Sequence, residues 1–277
     1  MEANFEMRMI GELTHFLKLQ IHQQDSSILL SQSKYAKNLV KKFGLEFDSS
    51  VRTPMSLNVK FTVDLLGKSV DSSLYRSMIG SLLYLTASNM IGSLLYLTAS
   101  KPDISYNVGV CARYQANPKE SHMTALKRII KYVKTTAEFG VWYSKNTNDV
   151  LAGYSDADWA GNANDRKSTS GGYFYVNNNL VSWMSKKQNS ISLSIVEAKY
   201  IVVGSCCTQF LWMQKLLHDY GICQEYLTIY CDNTSAINIS KNPVQHSRTK
   251  HIEIRHYFIR ELIKVGTLTL EFIHTND

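Results

Sequence analysis

Three carboxylates, Asp156, Glu197 and Asp232, each stand at the end of a predicted element, in segments 151–161 (LAGYSDADWAG), 192–200 (SLSIVEAKY) and 229–237 (IYCDNTSAI). Brought together by a fold, they would repel one another unless a divalent cation neutralised them. An oxygen-only ligand set selects a hard ion, Mg²⁺ or Mn²⁺. Two such ions about 4 Å apart can activate a water and stabilise the leaving oxygen of a phosphodiester. The chemistry these residue types could do is therefore metal-dependent phosphodiester hydrolysis.

Each acid also has a plain structural use. Asp156 at a strand end could make an Asx turn. Glu197 completes Ser194-x-x-Glu197, a capping-box pattern at a helix start. Asp232 could cap the helix beginning at Asn233. Asp158, two residues beyond Asp156, shares its strand face and competes for the same role. Histidine offers a weaker case, because His246, His251 and His256 are spaced by five and do not share a helix face. Gly171-Gly172 is not a phosphate loop, and no P-loop pattern occurs. The five cysteines lack metal-ligand spacing and read as reduced, buried thiols.

The elements that must position the acids follow from periodicity and punctuation. Residues 150–157, 170–176 and 180–184 read as strands with hairpin links. A long helix is predicted over 194–219, with Val196, Tyr200, Val203, Cys207, Phe210 and Leu217 on one face and Gly221 as its stop. Then come a strand at 227–231, a short helix at 233–240 ended by Asn242-Pro243, a helix at 251–264 and a strand at 267–273. The order βββ-α-β-α-α-β indicates a five-stranded mixed sheet with flanking helices, an α/β (mixed) fold. Before it lies a mostly helical stretch with a β-hairpin. The hairpin spans 13–31 around an Asp25-Ser26 turn, and helices are predicted at 34–43, from Leu74, at 103–115 and at 118–135. In the last, Asn117-Pro118 supplies cap and first turn, and Met123, Leu126, Ile130 and Val133 form the apolar face. Lys127, Arg128, Lys131 and Lys134 make a basic stripe that could track phosphates or face solvent. A boundary is drawn near 149.

The chain of 277 residues, 44% apolar and 19% charged, is long enough for two cores and is not disordered by composition. No apolar run reaches the roughly 18 residues of a membrane span, and the N-terminus lacks a signal-peptide pattern. An intracellular location, cytoplasmic or nuclear and not secreted, is expected. The net charge of +7 is uneven, with +6 in residues 1–150 and +1 in 151–277. A basic half beside a near-neutral one suits a module that grips polyanions next to one that coordinates metal.

Several long motifs carry a resemblance: 74–87 with 101–106 (LYRSMIGSLLYLTA…KPDISY), 154–172 (YSDADWAGNANDRKSTSGG), 181–188 (VSWMSKKQ), 230–237 (YCDNTSAI) and 241–258 (KNPVQHSRTKHIEIRHYF). Through them the chain resembles the C-terminal part of a Ty/copia-type retrotransposon Pol polyprotein, of the kind abundant in plant genomes. The resemblance implies a C-terminal reverse transcriptase remnant over 1–149 and an RNase H-like domain over 150–277. It implies hydrolysis of RNA in RNA–DNA hybrids, with Asp156, Glu197 and Asp232 holding Mg²⁺ (or Mn²⁺), and it favours Asp156 over Asp158. Such enzymes recognise RNA through minor-groove 2′-hydroxyls and track the DNA strand by its phosphates. Lys186, Lys187, Arg248 and Lys250, in polar loop-like segments, are the candidate backbone contacts. Other parts of the polyprotein are candidate partners.

The sequence departs from that family in four ways. It contains no Asp-Asp pair, so polymerase activity is not expected. It stops at Asp277, before the family's fourth carboxylate and last helix, which would loosen a second metal and expose apolar sheet surface. Residues 78–89 (MIGSLLYLTASN) are followed by a near copy, 90–101 (MIGSLLYLTASK). Twelve residues advance a helix about 120° beyond whole turns, so the second copy cannot continue the first one's apolar face. Lys199 stands where the family commonly has a second acid, one residue outside the expected ligand neighbourhood, and a modest effect is expected. These departures suggest a decayed element and an alternative function, a catalytically inactive nucleic-acid-binding remnant. A transposase or integrase reading is disfavoured, because those enzymes usually place the glutamate last of the three acids.

Overall fold

Alternating residues of the first hairpin fold as expected around the two-residue turn Asp25-Ser26, with Gln24 opposite Ser27. A computed structural model describes residues 12–16, 18–56, 61–86, 100–145, 150–224, 226–241 and 255–274, the last without the side chains of 255–257. Arg248, Lys250, His246, His251, the side chain of His256, Asp277 and residues 87–99 of the duplicated stretch lie outside that description. Strands β1 (His15–Phe16), β2 (Leu19–Gln24), β3 (Ser27–Ser31) and β4 (Val141–Ser144) form one antiparallel sheet in that order. Strand β4 has no counterpart among the elements the sequence predicts. VWYS is too short to display an alternation, and its pairing partner Ser27–Leu30 is more than a hundred residues away.

Helices α1 (Ser33–Lys42), α2 (Ser72–Thr86), α3 (Ser105–Ala112) and α4 (Glu120–Thr135) bury a common cluster that includes Leu39, Tyr75, Leu82, Ile104, Leu126 and Ile130. Helix α4 starts two residues later than Asn117-Pro118 predicts. The backbone there is occupied: Val70 N donates to Pro118 O and Glu120 N to Lys68 O. Its apolar face is buried as expected, but its basic stripe is not a free phosphate track. Lys131 pairs with Asp48 at 2.8 Å, Lys134 donates to the carbonyls of Glu46 and Asp48, and Arg128 donates to Thr53. These cations pin the 46–53 connection to the helix. Met78, Ile79, Leu82 and Leu85 of the first repeat copy are buried on α2. The amides of Ser100 and Lys101 both donate to Leu85 O, so the chain resumes against the end of that helix.

The second sheet has the order β7-β6-β5-β8-β9, with β5 (Leu151–Asp158), β6 (Thr169–Val176), β7 (Asn179–Lys187), β8 (Leu227–Cys231) and β9 (Leu268–Phe272). The β5–β6 and β6–β7 pairs are antiparallel, whereas β8 runs parallel to both β5 and β9. The five predicted strands and their mixed pairing are thus present. Helix α5 (Ile195–Asp219), about 37 Å long, lies across the sheet. Its Phe210 ring meets Phe174 edge-on at 5.2 Å, and Tyr200, Val203, Cys206 and Cys207 are buried beside it. The helix closes as predicted at Gly221, whose φ of +79° suits glycine. Helices α6 (Thr234–Lys241) and α7 (Arg255–Lys264) pack against α5. Among the described residues no helix is long and apolar enough to cross a membrane.

Close approach of α5 to the sheet makes Gly153 the sensitive position: a Cβ there would come within 2.4 Å of the Phe210 ring. Gly153→Ala is expected to destabilise the protein by about 1–3 kcal/mol through overpacking. Phe210→Ala should cost about 3–5 kcal/mol. Both are read from urea unfolding midpoints. Burial also raises the thiols of Cys111 and Cys207, each to about 12, and pushes Cys206 and Cys231 up. Cys223 alone among the five is exposed. An aromatic disulfide reagent at neutral pH should therefore titrate one thiol in the native protein and five after denaturation.

Candidate functional site

The parallel pairing of β5 and β8 generates the site. Ser155 lies opposite Cys231, the last pair between the two strands, so the next residues along, Asp156 and Asp232, emerge side by side just past the carboxyl end of that pairing. Ser155 Oγ donates to Tyr230 O at 3.0 Å and clamps the two strand ends together. Asp232 is not the cap of α6: that role falls to Asn233, whose Oδ1 accepts from Ala236 N at 2.9 Å.

Between the two aspartates lies Lys199. Its Nζ is 2.5 Å from Asp156 Oδ1 and 2.5 Å from Asp232 Oδ1. The Lys199 side chain is 8% exposed, Asp232 21% and Asp156 77%, so the ammonium approaches from the protein side and leaves Asp156 facing solvent. Burial alone would lower the Lys199 pKa. The two carboxylates outweigh it through hydrogen bonds and charge and hold the pKa above its ordinary value, so the ammonium is charged at neutral pH.

Glu197 takes up its structural use. Its Oε2 accepts from Leu193 N at 2.6 Å, and its own amide donates to the Ser194 hydroxyl at 3.2 Å. The carboxylate thus helps close the first turn of α5. Residues two apart on a helix are about 200° apart around its axis, so Glu197 and Lys199 leave α5 on different sides. Asp158, the competitor of Asp156, is anchored elsewhere. It accepts from the Thr169 amide and, at 3.2 Å, from the Tyr106 hydroxyl, and burial raises its pKa.

Among the described residues, no group of three His, Cys, Asp or Glu side chains is arranged to hold a metal ion. A shared Mg²⁺ would sit near two oxygens at about 2.0–2.1 Å, in the position the Lys199 ammonium takes. Unit charges 4 Å apart interact by about 4 kcal/mol at an effective dielectric of 20, and a divalent ion doubles the repulsion from that ammonium. The residues as they stand do not fit the implied metal. The modest effect expected of Lys199 needs correction on this point: it lies at the centre of the site. The signal available was its own motif, in which a cation replaces an acid next to the expected ligand.

Of the basic candidates, Lys186 is exposed on the edge strand β7. Lys187 is paired with Asp165. Arg166, exposed in the loop after β5, joins Lys186 as a cation that the sequence reading passed over. A cleft of about 490 Å³ opens beside the aspartates, lined by Tyr154, Tyr230 and Trp183 and, from α3, by Tyr106. The first half of the chain therefore builds one wall. Arg113 donates to Thr169 Oγ1 at 2.8 Å, and Asn164 bonds both the Val63 amide and the Tyr114 hydroxyl.

No family model matches the chain. It is 32% identical over its full length to the "Retrovirus-related Pol polyprotein from transposon TNT 1-94" of Nicotiana tabacum, covering 21% of that protein. It is 34% identical, again over its full length, to the corresponding polyprotein of transposon RE1 of Arabidopsis thaliana, covering 18% of it. The chain thus spans about a fifth of the length of these relatives. Among solved structures, it resembles LC11-RNase H1 isolated from compost at 10% identity and a TM-score of 0.37, over 47% of this chain and 87% of that one. It also resembles the foamy viral protease-reverse transcriptase in complex with dsDNA at 11% identity and a TM-score of 0.45, over 94% and 44%. The second half of the chain is a five-stranded mixed sheet with α5 across it. At 32–34% identity along its own whole length, the chain belongs to the family of retrovirus-related Pol polyproteins from transposons, of which it spans about a fifth.

Proposed function

We propose that this chain is a nucleic-acid-binding module of a retroelement Pol polyprotein, in which 150–277 is an RNase H-like domain that engages RNA–DNA hybrid without cleaving it. Residues 1–149 are its reverse transcriptase remnant, without the Asp-Asp pair of a polymerase. One observation carries this reading: Lys199 joins Asp156 and Asp232, while Glu197 is engaged at the start of α5. A site built this way has its negative charge partly neutralised by the protein itself. It favours approach of a phosphate backbone over capture of a divalent ion. The net charge of +7 and the exposed Lys186 and Arg166 favour the same partner.

A second reading keeps the nuclease: Asp156, Glu197 and Asp232 would hold Mg²⁺ or Mn²⁺ and hydrolyse the RNA strand. The side-by-side placement of Asp156 and Asp232 favours it. Incubation of the full chain with end-labelled hybrid separates the two. Fluorescence anisotropy in EDTA should give binding that weakens steeply with salt, and Lys186→Ala should lower the slope of log K against log salt by about one. Added Mg²⁺ or Mn²⁺ should release no product. Metal-dependent cleavage abolished by Asp156→Asn would establish the nuclease, and absence of any salt-dependent binding would refute both.

A further inference from the structure

We infer that Lys199 is a resident cation: its ammonium occupies the shared cation position between Asp156 and Asp232, and this one side chain keeps the site from binding divalent metal. The inference rests on the non-cleaving reading above and supplies its physical cause.

The geometry carries the argument in three steps. First, Lys199 meets one oxygen of each aspartate at the same distance, 2.5 Å, and so bridges the two carboxylates from the place a shared ion would take. Second, its attachment point is fixed. Tyr200, next along α5, is fully buried, as are Ala198 and Val202, so the helix cannot rotate to withdraw residue 199. The ammonium is thus delivered by a rigid element and is not a surface lysine resting on a convenient acid. Third, the same rigidity determines which residue of α5 faces the strand ends. It is position 199, while the Glu197 carboxylate is held at the Leu193 amide. A third ligand for a metal would have to come from 199. An acid there would replace one positive charge by one negative charge at the point where Asp156 and Asp232 converge. Metal affinity in oxygen sites follows the number of ligand charges.

The test uses Mn²⁺ alone, with no nucleic acid, on the full-length chain. Free Mn²⁺ is followed by electron paramagnetic resonance during titration of the wild type, K199E, K199M and the double variant K199E/D156N. Circular dichroism checks each fold. The wild type should bind no more Mn²⁺ than its D156N variant. K199E should bind about a hundredfold tighter than the wild type, and most of that gain should disappear in K199E/D156N. K199M, which removes the charge without adding a ligand, should fall between and serves if the carboxylate variant does not fold. The inference is overturned if wild-type protein binds Mn²⁺ in a manner lost with D156N. It is equally overturned if neither folded variant at 199 gains affinity. Hybrid binding is measured separately in EDTA, so a failed metal titration leaves that result standing, and loss of hybrid binding leaves the metal result standing.

Discussion

The ammonium of Lys199 lets two carboxylates stand at neighbouring strand ends. Parallel pairing of β5 with β8 places Asp156 and Asp232 side by side, and without a cation their repulsion would oppose that pairing. Lys199 is buried whereas Asp156 faces solvent, so removing the carboxylates would leave the lysine charge uncompensated, the costly side of such a pair. The arrangement therefore ties three elements together: two parallel strands and the first turns of α5. It also dictates the chemistry of the site. A carboxylate pair bound to an internal cation presents one net negative charge, where a metal-binding triad would present three.

The supports of this interaction lie mostly in α5. Phe210 seats the helix against Phe174 and over the bare backbone of Gly153, and the small spacing at Gly153 lets the helix come close to the sheet. At the other end, Ser194 and Glu197 close the first turn, so the helix begins at a defined residue. With both ends determined, side chains at 197 and 199 have no freedom to exchange roles. The first half of the chain contributes through α3 and the 61–64 stretch, which touch the β5–β6 loop by way of Arg113, Tyr106 and the Val63 amide. These polar contacts make the wall of the cleft beside the aspartates.

Local pattern made much of this legible. The hairpin turn at Asp25-Ser26, the apolar face of α4, the buried face of α5 and its glycine stop all appear where periodicity and capping place them. Strand β4 did not, since four residues cannot display a period and its partner lies far away in sequence. The basic stripe on α4 was visible, but its engagement with 46–53 was not, because the partners are carbonyls and hydroxyls with no sequence signature. At the site, the sequence brings Asp156, Glu197 and Asp232 together as one ligand set; Asp156 and Asp232 lie together, whereas Glu197 is held at the Leu193 amide. The capping pattern at Ser194 also signalled correctly that Glu197 could be needed at the helix end.

The amino-acid sequence by itself determined most of the helices and strands, the Ser194 cap and the Gly221 stop of α5, because each depends on residues within a turn or two of one another, and it carried the likeness to transposon polyproteins and the lysine beside an expected acid. Only the tertiary structure decided which residue of α5 faces the strand ends. The rotation of a helix about its own axis is set by how its whole buried face packs on the sheet, and 200° separate a residue from its second neighbour. That rotation puts Lys199, and not Glu197, on the Asp156–Asp232 pair.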